Sequence, residues 1–339
     1  MLEPPTDLQR LEETLKAEIA DAGSISFERF MEVALYHPQL GYYCRGPKPI
    51  GVSGDFFTAS QLQPVYGVLI RQYAERLAAE NGLRLTPSLL ECGAGRGEMA
   101  EAFQDWQYRA LEVHSSLPES SFSGVIFGNE LFDAMPVRSA MRQGSDFVEQ
   151  RVGWNGERFV WVQHHPSNDE IARYAFRAGV PAEEGFVFEV HQRSIQFLED
   201  LLDRARNALL LFVDYGYTQR DWKRFPHGTL MAYRKHRADS DVLSTPGERD
   251  ITSHVPFHLL ASVAEACGAR VLRRERLASA LLFAGERDSF ASVLEGLGER
   301  SAFERRQQLK TLLYGLGESF SVIAIAKEEG PLLPSDSRT

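Results

Sequence analysis

Apolar residues recur at helical spacing from the start of the chain. Leu8, Leu11, Leu15 and Ile19 line one face of a segment, Leu8 to Ala22, that Gly23 closes. Ser26 opens a second helix with Phe27, Phe30, Val33 and Ala34 as its stripe. From His37 to Ser60 periodicity is lost among HPQLGYY, GPKPIG and SGDFFTAS. Irregular stretches of that length inside a compact domain usually carry function. Helical spacing returns over Gln63 to Asn81. The short apolar run Ser88 to Cys92, between Pro87 and Gly93, predicts a buried strand. Glu98 to Trp106 then reads as a helix, and Tyr108 to Val113 and Gly124 to Gly128 as strands. Aromatic and aliphatic residues alternate from Phe147 to Gln163 around Trp154-Asn155-Gly156-Glu157, a hairpin signal. An amphipathic helix (Arg193 to Arg206) precedes the most apolar strand, Ala208 to Val213. A helix (Phe257 to Cys267), a strand near Val271 and a terminal strand (Phe320 to Ala326) follow. The alternation predicts an α/β sheet, with an N-terminal helical segment and an antiparallel β insertion.

Composition narrows the class. Apolar residues make up 43 % and charged residues 25 %, as in ordinary globular proteins. The longest uncharged apolar run, Ala208 to Val213, is far short of the roughly 20 residues of a membrane span. With 37 basic and 47 acidic residues the net charge is −10, which argues against a nucleic-acid binder. The opening MLEPPTDLQRLEE has neither a signal-peptide core nor a basic transit pattern. The expectation is a soluble, cytoplasmic protein without membrane insertion. Cys44, Cys92 and Cys267 are scattered, so no disulfide framework or metal site is expected.

The chemistry concentrates after the Ser88–Cys92 run, where Glu91-Cys92-Gly93-Ala94-Gly95-Arg96-Gly97 leads from a strand into the next segment. Glycines there permit positive φ and let a ligand approach the backbone, at the strand end where nucleotide-like ligands bind in doubly wound folds. Glu112, at the end of the next strand, is placed to accept hydrogen bonds from a ribose diol. A dinucleotide would bring a pyrophosphate to this loop, and Glu91 and Glu98 would repel it. A cationic ligand such as S-adenosyl-L-methionine suits those acids better. Further on, Gly128-Asn129-Glu130-Leu131-Phe132-Asp133 places an amide and two carboxylates at another strand end. Glu130 can hold or deprotonate a nitrogen nucleophile, with Asp133 assisting. Read alone, these acids could equally cap a helix or face solvent. Asp214 is open between a structural strand-end acid and a ligand.

These segments together resemble the MidA-like methyltransferases: GDFFTAS (Gly54 to Ser60), LLECGAGRGEM (Leu89 to Met99), GNELFDAMPV (Gly128 to Val137), VDYGY (Val213 to Tyr217), GTLMAYRKHR (Gly228 to Arg237) and TPGERDITSHVPF (Thr245 to Phe257). The resemblance implies a Rossmann-like class I fold that uses S-adenosyl-L-methionine. It places the donor around Gly93, Gly95 and Glu112, with the loop of Gly54, Asp55, Phe56 and Thr58 and the pair Asn129 and Glu130 close by; the acid-flanked glycine loop adds Glu91 to the expected donor site. The chain is expected to divide into an N-terminal helical segment with that loop (1–85), a core (86–330) with an insertion around 138–190, and a flexible tail (331–339). The family includes a mitochondrial complex I assembly factor that methylates a protein arginine. The implied acceptor is therefore a protein side chain, arginine among the choices, and the implied partner a complex I-type subunit. The connection from Glu112 to Gly124 is shorter than the resemblance implies. That shortening keeps open an alternative: an assembly protein that binds the donor with little catalysis.

Overall fold

The computed structural model describes residues 6–45, 59–113, 115–235 and 237–328. Contacts divide the chain into two compact units, each drawn from three segments. One comprises Met1–Thr58, Glu130–Gln196 and Asp214–Leu259. The other comprises Ala59–Asn129, Phe197–Val213 and Leu260–Thr339.

The second unit is built on a sheet. Its central strand Ser88–Cys92 is buried throughout, as its unbroken apolar run requires. It pairs in parallel with Gln107–Leu111 on one side and Phe122–Asn129 on the other. Ala205–Tyr217 pairs in parallel with Phe122–Asn129. Beyond it lie Phe320–Lys327 and then Arg270–Arg276, the last two antiparallel. Register decides what emerges together. Cys92 is level with Leu111 and with Gly128, so Gly93, Glu112 and Asn129 follow side by side at one sheet end. Among the described residues, 112–121 carry neither helix nor strand, and Gln107–Leu111 is an edge. The short connection seen in the sequence thus adds no further strand there among the described residues.

One helix expected in this unit is absent. Glu98 to Trp106 forms successive turns, with Ala100 donating to the Gly97 carbonyl (3.1 Å), Ala102 to Met99 (3.1 Å) and Trp106 to Phe103 (2.8 Å). The apolar spacing was sound, since Met99 and Phe103 are both buried. Tighter i→i+3 turns cover the distance from the left-handed Gly97 to the next strand.

The first unit begins with helices Asp7–Ala22 and Phe27–Tyr36. A capping box at Thr6 starts the first, and the Ser26 side chain accepts from the Arg29 amide in the second. Leu11, Leu15 and Ile19 are buried. The predicted antiparallel excursion is present: Arg138–Gln143, Asp146–Trp154, Phe159–His164 and Val187–Val190 form a sheet that Ile25–Ser26 joins. The hairpin turns at Asn155, whose side-chain oxygen accepts from the Glu157 (3.0 Å) and Arg158 (2.9 Å) amides. Helix Glu170–Ala178 was not anticipated from the sequence. It buries Ile171, Tyr174, Ala175 and Ala178, and Gly179 in the left-handed region caps it.

His191, between the last of these strands and helix Gln192–Arg204, is fully buried with no hydrogen-bond partner on either ring nitrogen. Burial, reinforced by His254 and His258, brings its imidazole down to about 3. The unfolded chain takes up this proton near pH 6.5, and the folded chain does so only near 3. Stability relative to His191→Leu should therefore be highest above pH 6.5. It should fall by about 1.4 kcal/mol per pH unit below that, down to about pH 3. Denaturant unfolding of both proteins from pH 4 to 8 measures this difference.

Candidate functional site

The glycine loop after Cys92 alternates through left-handed backbone. Gly93, Gly95 and Gly97 have φ of 69°, 61° and 74°, values other residues adopt only with strain. The Gly93 amide donates to the Leu111 carbonyl at 2.7 Å, which ties the loop to the neighbouring strand end just before Glu112. Glu91 is 4 % exposed and accepts a 2.6 Å hydrogen bond from the Tyr108 hydroxyl. Burial pushes its carboxyl up to about 7; Glu98 and Glu112 add to the rise and Tyr108 opposes it. The structure thus gathers Glu91, Gly93, Gly95 and Glu112 at one sheet end. Asn129 emerges on the opposite side of the central strand, its side-chain oxygen accepting from the Tyr66 hydroxyl at 2.6 Å. Tyr108 and Tyr66 escaped sequence reasoning, because no local signal pairs them with residues 17 and 63 positions away.

Glu130 and Asp133 lie in the first unit, on a turn whose shape Asp214 dictates. One oxygen of the fully buried Asp214 accepts from the amides of Leu131 (3.1 Å), Phe132 (2.9 Å) and Asp133 (3.3 Å). Its other oxygen accepts from the Tyr215 amide at 2.9 Å. Asp214 is therefore a structural acid. Burial pushes it up to about 8, the Glu130 charge adds, and the amide bonds oppose. Glu130 itself has φ of 50°, a conformation uncommon outside glycine that concentrates at functional sites. Asp133 is buried and one of its carboxyl oxygens has no partner. Burial, then Asp214 and Asp250, raise it well above the carboxylate range.

Gly54, Asp55, Phe56 and Thr58 lie outside the described residues. A Cβ on Gly216 would meet the Phe257 ring at 2.3 Å and the Val255 carbonyl oxygen at 2.4 Å, so this glycine serves the pairing with Val255–Pro256. The His254 amide donates to the Thr229 hydroxyl at 2.9 Å and its ring packs edge-on to Phe225. Arg234 is ion-paired with Glu248.

The family described as "Putative S-adenosyl-L-methionine-dependent methyltransferase" matches residues 102–274. Similar curated relatives are protein arginine methyltransferase NDUFAF7, mitochondrial, of Danio rerio and its Caenorhabditis elegans homolog. The first is 26 % identical over 74 % of this chain and 71 % of its own; the second is 22 % identical over 76 % and 72 %. A Burkholderia thailandensis protein, described as a "likely methyl transferase" and crystallised with S-adenosyl-homocysteine, is 28 % identical. It superimposes with a TM-score of 0.81 over 97 % of this chain and 96 % of its own. The fold is thus a Rossmann-like α/β methyltransferase fold, and the cofactor is S-adenosyl-L-methionine.

The residues at the glycine loop fit that cofactor. Glu91 makes no ion pair among the described residues and is buried beside the acids Glu98 and Glu112. Glu91 would meet the positive groups of the methionine portion, and exposed Glu112 the ribose diol. A cation favours the ionised form of Glu91. Donor affinity should therefore rise up to tenfold per pH unit between pH 5.5 and 7 and level off above, with protons released on binding below 7. Calorimetry in buffers of different ionisation enthalpy detects both effects. Glu91→Gln should bind more weakly and lose the pH dependence, whereas a flat wild-type profile would refute the assignment.

Proposed function

The chain belongs to the S-adenosyl-L-methionine-dependent methyltransferase family matched over residues 102–274, and we propose that it methylates a protein arginine. The observation that carries this reading is the pair of acids, Glu130 and Asp133, held on one turn by the amide clamp of Asp214. The names of the relatives, protein arginine methyltransferases, support it. A complex I-type subunit is the acceptor class that the family resemblance favours. We propose the cytoplasm as its compartment, which the odd number and scattered placing of Cys44, Cys92 and Cys267 suit.

When bound, the cofactor supplies an electrophilic methyl group on a sulfonium. The protein's share is alignment and charge. Alignment of reacting atoms near 3 Å can supply ~7–11 kcal/mol of such a barrier. An arginine guanidinium holds its proton to a pKa above about 12, so its nitrogen needs a carboxylate at hand. Glu130 orients the guanidinium and accepts the proton it loses on methylation, with Asp133 assisting. One peptide bond joins Glu130 to Asn129, which keeps this base next in the chain to a residue of the proposed donor site.

Labelled donor incubated with this protein and a lysate of cells lacking it should mark a protein band, with the label on arginine. Glu130→Gln should lower turnover by about 10²–10⁴-fold, the usual contribution of a general base, and leave donor affinity within twofold. Full turnover in that variant would remove Glu130 from the mechanism. No labelled band, despite donor binding, would favour the assembly-protein alternative.

A further inference from the structure

The first unit contains a second feature around Asp133, formed by side chains that neither the glycine loop nor Glu130 accounts for. Tyr36 ends helix Phe27–Tyr36, and Tyr43 follows in the next turn. Their rings stack with centroids 5.5 Å apart and planes 23° apart. The Tyr36 hydroxyl donates to the Ala134 carbonyl at 2.9 Å, and the Tyr43 hydroxyl to Asp250 at 2.7 Å. Tyr233 and Asp250 are directly opposite partners on adjacent antiparallel strands, so their side chains share a face. Tyr215 follows Asp214 on its strand. Asp133 is near enough to all four phenols that, after burial, its charge helps push each of them upward.

The four tyrosines are half-buried, whereas Asp133 and Asp250 behind them are 4 % exposed. Asp133 has an unpartnered carboxyl oxygen and makes no ion pair among the described residues. The hydroxyls of Tyr36 and Tyr43 are already engaged, so what they can still offer a ligand is ring surface. A buried acid short of a cation, ringed by accessible aromatic surface, matches one chemistry in particular. A guanidinium is planar, weakly hydrated, stacks on aromatic rings and presents parallel donors to carboxylates. An ammonium is a compact, strongly hydrated point charge and fits less well.

We propose that Tyr36, Tyr43, Tyr215 and Tyr233 around Asp133 and Asp250 form a guanidinium subsite that receives the acceptor side chain. This rests on the arginine reading above and assigns the residues that select arginine over lysine. Asp133 accepts from the guanidinium edge; the tyrosines position its plane.

The test uses the full chain, saturated with S-adenosyl-homocysteine and carrying 13C-labelled tyrosine rings. Tyr→Phe substitutions at the four positions assign the resonances. Ethylguanidinium should shift those four signals saturably. Propylammonium should need at least tenfold more ligand for the same effect, and neutral ethylurea should have none. Asp133→Asn should weaken ethylguanidinium binding at least tenfold and leave affinity for S-adenosyl-homocysteine within twofold. Should that variant fail to fold, Tyr233→Ala should weaken the response about fivefold while Tyr233→Phe preserves it. Unmoved tyrosine signals, an equal response to propylammonium, or undiminished binding in these variants would overturn the proposal. The outcome is separable from the parent reading. Label on a residue other than arginine, with guanidinium-specific shifts intact, defeats the arginine reading alone. Labelled arginine without those shifts defeats the subsite alone.

Discussion

The arrangement of both proposed acids depends on one buried carboxyl group. Asp214 collects the amides of Leu131, Phe132 and Asp133 on a single oxygen and that of Tyr215 on the other. Leaving a buried amide without an acceptor costs about 1–3 kcal/mol. The clamp therefore outweighs the roughly 1–2 kcal/mol that a residue with a Cβ loses in left-handed backbone, the state Glu130 occupies. The strained residue and its stabilising acid form one device: Asp214 holds the shape, and Glu130 presents its side chain from it.

The buried acids are not supplied with donors alike. Glu91 receives a hydrogen bond from the Tyr108 hydroxyl, and Asp133 leaves an oxygen unpartnered, while Asp214 is supplied with four amides. An acid so well supplied has little capacity left for a ligand, and the two poorly supplied ones have much. The overall charge of −10 is thus a weaker guide to ligand preference than the local shortage of donors and cations around particular carboxyl groups.

Local patterns were legible. The buried strand Ser88–Cys92, the helical stripe through Leu11, Leu15 and Ile19, and the turn at Asn155-Gly156 each follow from spacing and turn chemistry within a few residues. The glycine loop and the acids at the ends of neighbouring strands were also visible, since strand ends in such sheets collect ligands. Long-range partners were not. Nothing near Tyr108 announces Glu91, and nothing near Asp214 announces the amides of residues 131–133. The segment Glu98 to Trp106 misled because Met99 and Phe103 have helical spacing, which a run of turns can satisfy as well. Helix Glu170–Ala178 is hard to read locally because two of the four residues on its buried face, Ala175 and Ala178, are small and carry a weak apolar signal.

The short passage of residues 112–121 has an effect beyond the cofactor site. It leaves Gln107–Leu111 as an outermost strand with one sheet neighbour among the described residues, its Gln107, Arg109 and Ala110 exposed. An outer strand offers main-chain groups to any extended peptide that passes, the route by which sheets of separate molecules fuse. Brevity and the charge of Arg109 are the ordinary safeguards against such fusion. Here they take over the shielding that a covering strand would otherwise give.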